Sequence, residues 1–171
     1  MIPEIQRDGL LPDGRHVATL DEIRQIFVEE APFSSERRLI LTGLQLHLSL
    51  MREMFSAGAA WINGGFVTRK TWSAPKDVDI IYVLSAAEIN ALDAESAARL
   101  ASLLTLQGVS SAAPPIKAMR VQPMGGLLDA FLVVEEEVDQ QIYWDRIWGT
   151  VMAAGGVVVD GVRKGYLEVA W

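Results

Sequence analysis

The stretch Trp61–Leu84 constrains the fold most, because it places two aspartates on one face of an apolar strand. Residues 59–62 are apolar, and residues 77–84 are apolar apart from the two aspartates. The second segment is rich in the β-branched and aromatic side chains that favour strands. Successive strand residues point to opposite faces, so Asp77 and Asp79 share a face, about 7 Å apart along the backbone. Neighbouring carboxylates repel each other and resist burial. Their face is therefore solvated, paired with Lys or Arg, or bound to a divalent cation.

A glycine pair, Gly64-Gly65, follows the first of these strands. Paired glycines let backbone amides approach phosphate oxygens closely, with no Cβ in the way. We expect a short helix over residues 66–72, whose N-terminal amides would add to such an anion site. A glycine pair alone is more often a simple turn. Here eleven residues separate Gly65 from Asp77, so glycines and aspartates form one larger pattern.

This pattern resembles the nucleotidyltransferase motif of the DNA polymerase β-like superfamily. That motif has an apolar residue, Gly, Gly or Ser, a short spacer, and then Asp-apolar-Asp-apolar, which Gly64-Gly65 and Asp77-Val78-Asp79-Ile80 match. The chain resembles in particular the small stand-alone nucleotidyltransferases of toxin–antitoxin and phage-defence modules. The resemblance implies an α+β fold, with a mixed β-sheet flanked by α-helices, a C-terminal helix and a β-ribbon. Gly65 departs from the many members that carry Ser there, and this removes one phosphate donor.

The resemblance also implies a set of site residues. Asp77 and Asp79 would bind Mg²⁺ or Mn²⁺, together with a third carboxylate on a later strand. Asp129 matches it, since it lies in the apolar segment 127–134, where an unpaired charge would cost several kcal/mol to bury. Asp129 would also orient or deprotonate the attacking hydroxyl. The candidate residues for binding the nucleotide triphosphate are Gly64, Gly65, Thr68, Arg69, Lys70 and Lys76.

Three functions fit these residues. The first is a metal-dependent enzyme that moves an NMP from an NTP to a hydroxyl of a protein, a tRNA or a small molecule. The second is a catalytically weak nucleotidyltransferase-like binding module that acts as an antitoxin or regulator by protein–protein contact. The third is a structural protein whose aspartates pair with Arg or Lys. The net charge of -7 disfavours a tRNA acceptor and favours a protein partner, a toxin or an antitoxin, because phosphate contacts need a cationic surface.

Length and composition set the frame for these functions. A chain of 171 residues predicts one domain, residues 1–171, in which residues 1–17 form an extended N-terminal arm. The absence of cysteine excludes disulfides and thiolate metal sites and is compatible with a reducing cytoplasm. No apolar run reaches the roughly 18 residues of a membrane helix. We therefore expect a cytoplasmic protein without a membrane partner.

The remaining elements follow from periodicity and capping signals. Thr19 and Glu22 have the spacing of a capping box for a helix over residues 20–30. Ser34 or Ser35 is expected to cap a second helix that extends to residue 55. Helical segments are predicted over 85–106, broken near residue 92, and over 135–148. The other predictions are a loop over 107–115, a hairpin of 116–122 with 127–134, an end of the helical region at Gly155-Gly156, and a terminal ribbon over 157–171 that turns at Asp160-Gly161.

Three further features have an ordinary interpretation that is more common than a functional one. His47 lies in the second helix and is predicted to be a hydrogen-bonded core or surface histidine. Trp144 and Trp148 are four residues apart on a helix, which favours packing over a platform for a stacked base. Arg163-Lys164 is more often a solvated turn than a basic edge of a site.

Overall fold

A computed structural model of the chain describes residues 1–112, 115–152 and 157–171. Gly155-Gly156 lies outside these ranges. The strands are β1 (Gly14–Val17), β2 (Ala59–Asn63), β3 (Val78–Leu84), β4 (Leu106–Ala112), β5 (Pro115–Val121), β6 (Leu128–Val134), β7 (Thr150–Met152), β8 (Val158–Arg163) and β9 (Gly165–Ala170). The helices are α1 (Leu20–Arg24), α2 (Ser34–Met54), α3 (Ala86–Asn90), α4 (Ala94–Leu103), α5 (Pro123–Gly126) and α6 (Val138–Trp148), and a π-helical turn at Gln25–Glu29 continues α1.

A five-stranded mixed sheet forms the centre of the fold, with the strand order β1-β9-β2-β3-β6. Strand β2 is antiparallel to both β3 and β9, whereas β3 is parallel to β6 and β1 is parallel to β9. The predicted α+β class, a mixed sheet with helices around it, is confirmed. No helix in the described ranges combines the length and the apolar character needed to span a bilayer.

The two faces of the sheet are covered by different helices. On one face, alternate residues of β3 and β6 join a core that includes buried side chains of α2 and α4, among them Leu44, Leu48 and Leu100. On the opposite face, Trp61, Ile81 and Val133 pack with residues of α6 in a smaller aromatic core. Residues 79 and 129 share the second face, because strand residues two apart point the same way.

The N-terminal arm is part of the sheet. It ends in β1, which pairs with β9, and Ile2 and Leu11 are buried in the main core. The terminal segment β9 lies between β1 and β2. Both ends of the described chain therefore complete the central sheet.

The helical predictions are largely confirmed. Thr19 and Glu22 form both hydrogen bonds of a capping box at α1, and Asp93 caps α4 after the predicted break. The expected serine cap of α2 is wrong: Phe33 occupies the cap position at φ 62°, and Ser34 is already helical. No sequence pattern for capping includes a phenylalanine in this left-handed conformation.

Three local predictions are wrong. Residues 66 and 67 complete a turn that begins at the glycines, and an irregular loop follows from residue 68, so the predicted short helix is not formed. The predicted loop contains β4, which pairs with β5 as a separate two-stranded hairpin, while β6 pairs with β3 instead. At the C-terminus, β8 continues through Asp160-Gly161 and pairs with β7, and β9 joins the central sheet.

His47 is hydrogen-bonded and lies in the core, which is one of the two predicted locations. Its imidazole is buried and stacks on Tyr82; Nδ1 lies 2.5 Å from the Tyr82 hydroxyl and Nε2 lies 2.7 Å from the Leu103 carbonyl oxygen. The carbonyl can only accept, so Nε2 donates and the Tyr82 hydroxyl donates to Nδ1 of the neutral ring. Burial lowers the pKa of His47 below its usual 6.5, and the hydrogen bond to Leu103 offsets this only in part.

We predict that His47 makes the protein less stable in mild acid. The pKa of His47 is lower in the folded chain, so the unfolded chain takes up the proton first as the pH falls. The contribution of the neutral ring is therefore present above about pH 6.5 and decreases below it, by at most about 1.4 kcal/mol per pH unit. Urea unfolding between pH 5 and pH 8 measures this slope.

Two matched variants test this prediction, each with one of the two histidines replaced by glutamine. His47→Gln should flatten the pH dependence of the free energy of unfolding near pH 6, and His16→Gln should leave that slope in place. A slope that survives in the His47 variant and disappears in the His16 variant contradicts the prediction.

Candidate functional site

Three polar residues form a row across the centre of the sheet. Asn63 pairs with Asp79 between β2 and β3, and Asp79 pairs with Asp129 between β3 and β6. Directly paired residues on neighbouring strands present their side chains on the same face. The sheet register therefore brings two of the predicted carboxylates together, with an amide beside them.

Gly64 turns the chain directly over this row. It has φ +80°, and a Cβ at this position would fall within the Asp79 carboxylate. Only glycine combines this left-handed conformation with so close an approach. Gly65, which has no such φ, would place a Cβ 3.4 Å from Lys70 Nζ, the end of a flexible side chain. The two glycines thus have different tasks, and Gly64 is the one that gives access to Asp79.

A pocket of about 920 Å³ opens beside the glycine turn. This is at the upper end of the range of roughly 300–1,000 Å³ that is typical of small-molecule sites. By chemical character the lining divides into two groups. The polar group, called the polar side, includes Asp8, Gly64, Gly65, Thr68, Lys70, Asp79 and Lys164. The apolar group, called the apolar side, includes Leu10, Trp72, Val151, Met152, Val159 and Val162.

The charges at the polar side influence one another. Burial, and next to it the charge of Asp77, raises the pKa of Asp79 above its usual value, while Lys164 and Arg120 oppose the rise. Burial lowers the pKa of Lys164, with a further contribution from Lys70, and Asp79 opposes this change. Within the described part of the chain, neither Lys70 nor Lys164 forms a salt bridge. The pocket lining thus carries two half-buried ammonium groups and two carboxylates, Asp79 and the exposed Asp8, and the ammonium groups can accommodate an anionic ligand.

Residues in and next to the hairpin β4–β5 contact the other two aspartates, Asp129 and Asp77. Arg120, near the end of β5, forms an ion pair with Asp129, and Thr105 Oγ1 donates a 2.8 Å hydrogen bond to the same carboxylate. Gln122, which follows β5, donates a 3.0 Å hydrogen bond to Asp77. Of the three predicted aspartates, Asp79 is the one that lines the pocket.

The row contains oxygen atoms that suit a divalent cation, although the three aspartates are not close enough together to share one ion. In the ranges that the structure covers, no three His, Cys, Asp or Glu side chains are placed to share an ion. Asn63 Oδ1 is nevertheless buried beside Asp79 and accepts no hydrogen bond from the described residues, while its Nδ2 donates to the Trp148 carbonyl. An unpaired amide oxygen next to carboxylates suits Mg²⁺, which prefers oxygen ligands. Asp79 and Asp129, with Asp77 nearby, could hold such an ion.

The predicted nucleotide-binding residues divide into two groups. Gly64, Gly65, Thr68 and Lys70 line the pocket. Arg69 is turned away from it, because its guanidinium donates to the Ile26 carbonyl and to Glu30 at 2.8 Å. Lys76 is exposed and does not line the pocket.

Several residues of the site were not predicted as site residues from the sequence. Lys164 was interpreted as part of a solvated turn, and Asn63, Thr105 and Arg120 were not considered. For Asn63 a signal existed, since it is a polar residue directly before the glycine pair at the end of an apolar strand. Lys164 reaches the site because β9, which follows it, pairs with the distant β2. Thr105 and Arg120 reach it through side-chain contacts with Asp129, which no local pattern encodes.

The comparison with known protein families assigns the chain to one family. Residues 3–170 match the family of unknown function DUF6932, which is nearly the whole chain. The chain belongs to DUF6932. No curated protein and no solved structure matches it. Any function of this DUF6932 member must therefore be argued from its own residues.

Arg37 holds the glycine turn of this DUF6932 chain in place. Its side chain is fully buried and donates hydrogen bonds to four backbone carbonyls: those of Pro32 and Phe27 on the helical side, and those of Phe66 and Thr68 directly after the glycines. Burial, and secondarily the charge of Arg69, lowers the pKa of Arg37 to about 10. The guanidinium stays charged at neutral pH, and its planar donor fork fixes the turn to the helices.

We predict that Arg37→Met lowers the free energy of unfolding by at least about 3 kcal/mol, because it leaves buried carbonyls without donors. Urea unfolding at pH 7 measures the loss. Arg38→Met is the matched control, since Arg38 is exposed on the next position of α2, and it should change stability by no more than about 0.5 kcal/mol. Equal losses in the two variants would contradict the anchoring role of Arg37.

Proposed function

We propose that this DUF6932 protein is a metal-dependent nucleotidyltransferase, which moves an NMP from an NTP to a hydroxyl group and releases pyrophosphate. One observation carries the proposal: Asp79 and Asp129 are paired in register on adjacent parallel strands, and Asp79 lies directly against the Gly64 turn. Carboxylates on neighbouring strands beside a glycine turn form a place where phosphates and divalent cations can meet.

The polar side of the pocket provides for the triphosphate. Gly64 and Gly65 expose backbone close to Asp79 without side chains in the way. Lys70 and Lys164 supply two positive charges, and the Thr68 hydroxyl, which donates to the Gly64 carbonyl at 3.2 Å, steadies the turn. These groups neutralise and orient the phosphate chain, which is most of what a protein contributes to phosphoryl transfer.

The carboxylates provide for the cation. Asp79 and Asp129, with Asp77, would hold Mg²⁺ or Mn²⁺, which when bound supplies positive charge to the reacting phosphate oxygens. In the reaction, the acceptor hydroxyl oxygen forms a bond to the α-phosphorus, and the bond from that phosphorus to the pyrophosphate oxygen breaks. The hydroxyl proton leaves the acceptor, and Asp129 is the carboxylate that we propose orients the hydroxyl or accepts the proton.

The acceptor we propose is a protein, a toxin or an antitoxin partner in a toxin–antitoxin or phage-defence setting. The net charge of -7 disfavours the extended phosphate contacts of a tRNA. A chain without cysteine suits the reducing conditions of a cytoplasm, which is where such a partner and NTPs would be available.

We predict that Asp79→Asn abolishes transfer of labelled NMP to protein in a cell extract, with Mg²⁺ or Mn²⁺ and each of the four NTPs tested separately. The matched control is Asp139→Asn, which exchanges an exposed aspartate on α6 and should retain transfer. Thermal unfolding should also shift upward with NTP and Mg²⁺ in the wild type. Wild-type protein that neither transfers label nor gains thermal stability from any NTP would contradict the proposal.

The hairpin contacts favour a second candidate, the catalytically weak binding module that acts by protein–protein contact. Arg120 and Gln122 occupy Asp129 and Asp77, so the chain itself satisfies the two outer carboxylates. In a module of this kind, the Arg120 ion pair would replace the cation, and the site would bind a nucleotide or a partner without turnover.

Arg120→Met distinguishes the two candidates, with Mn²⁺ binding to the full chain followed by electron paramagnetic resonance. If the pair replaces the cation, removing Arg120 leaves Asp129 uncompensated, and the affinity for Mn²⁺ should rise at least about fivefold. Lys117→Met, at an exposed position of the same strand, should leave the affinity unchanged. Wild-type protein that already binds Mn²⁺ as tightly as the Arg120 variant argues against the second candidate.

A further inference from the structure

The apolar side of the pocket has a feature that binding of phosphate alone does not require. Trp72 is 78% exposed, whereas Trp61 and Trp148 are 2% and 7% exposed in the aromatic core. Trp72 also lines the pocket, together with Leu10, Val159 and Val162. A large apolar ring left open at the edge of a pocket is an unusual use of tryptophan, which otherwise gains stability from burial.

The loop that carries Trp72 is fixed by the hydrogen bonds of Arg69, three residues earlier in the chain. The Arg69 amide donates to the Gly9 carbonyl at 2.8 Å, and the Arg69 guanidinium is bound to Ile26 and Glu30 on the side away from the pocket. Gly9 has φ +84°, and a Cβ there would lie 3.0 Å from the Arg69 carbonyl oxygen, so arm and loop are in close contact. The loop thus presents Lys70 and Trp72, two residues apart, to the same pocket.

We infer that Trp72 is the stacking platform for the planar base of the nucleotide whose triphosphate lies at Lys70 and Lys164, an inference that rests on the proposed function. One short loop supplies both a cation and an aromatic ring, so a ligand that contacts both must join an anionic part to a flat apolar part. A nucleotide has this composition, and every base has a face that can stack on an aromatic side chain. The pocket volume of about 920 Å³ leaves room for a ring as well as for phosphates.

The aromatic residues of α6 do not serve this purpose in the structure. Trp144 packs on Phe131 with ring centroids 5.3 Å apart, and Trp148 packs on Tyr166 at 5.6 Å. Neither tryptophan lines the pocket. The packing interpretation of these two residues fits the structure, and Trp72 takes the role of base platform.

The test compares two ligands that share the phosphate chain and differ in the base. Isothermal titration of the full chain with Mg²⁺ would use the four nucleoside triphosphates with a methylene bridge between the α- and β-phosphates, which cannot transfer the NMP, and inorganic tripolyphosphate. Trp72→Leu should weaken the tightest of the four analogues at least about fivefold, since stacking contributes about that much or more per base. Tripolyphosphate affinity should stay within about twofold of wild type.

Trp72→Phe is the matched control, because it retains a ring and should bind the analogue within about threefold of wild type. All three proteins should melt at similar temperatures, since Trp72 is largely exposed. An analogue affinity unchanged in Trp72→Leu overturns the inference, and so does an equal loss for both ligands, which would mean that Trp72 only shapes the loop. Both results leave the proposed function intact. Wild-type protein that binds neither the analogues nor tripolyphosphate overturns both the inference and the proposed function.

Discussion

The buried guanidinium of Arg37 is the interaction on which the candidate site depends. An arginine without a carboxylate partner is costly to bury, and here backbone carbonyls take the place of the partner. Two of these carbonyls belong to the segment after the glycines, one belongs to the π-helical turn and one to the connection between that turn and α2. The position of Gly64 over Asp79 therefore depends on one buried charge, while the contacts of Arg69 hold the loop that carries Lys70 and Trp72.

The three aspartates Asp77, Asp79 and Asp129 show how this fold compensates neighbouring negative charges. Asp129 is paired with Arg120 and accepts from Thr105, and Asp77 accepts from Gln122. Asp79 lacks such a donor among the described residues and depends on the more distant charges of Lys164 and Arg120, which only oppose the effect of burial on its pKa. Asp79 is thus the carboxylate whose negative charge a bound cation would compensate most.

The sequence predicts local features well and long-range pairing poorly. Strand β3, the capping box at Thr19 and the break before Asp93 follow from patterns within a few residues, and the structure contains them. The partner of β5 is different, because β4 consists largely of small and polar residues that predict a loop, whereas the apolar β6 has the composition of a strand. Within the site, the pattern identified Asp79, Gly64 and Lys70. It missed Lys164, whose place in the pocket depends on β9 lying beside β2.

The same pairing error bears on function, because the hairpin β4–β5 is separate from the central sheet and yet reaches its carboxylates. A two-stranded hairpin is marginally stable by itself, so its attachment depends on contacts such as the Arg120–Asp129 pair and the Arg120 guanidinium 5.9 Å from the Phe131 ring centroid. Arg120 is 44% exposed and Asp129 only 8%, so losing the pair leaves the aspartate as the buried, uncompensated charge. A divalent cation can compensate that charge, whereas water reaches it poorly. Cation binding and hairpin attachment would therefore be competing ways to satisfy Asp129, and under the proposed function their balance would decide between turnover and binding alone.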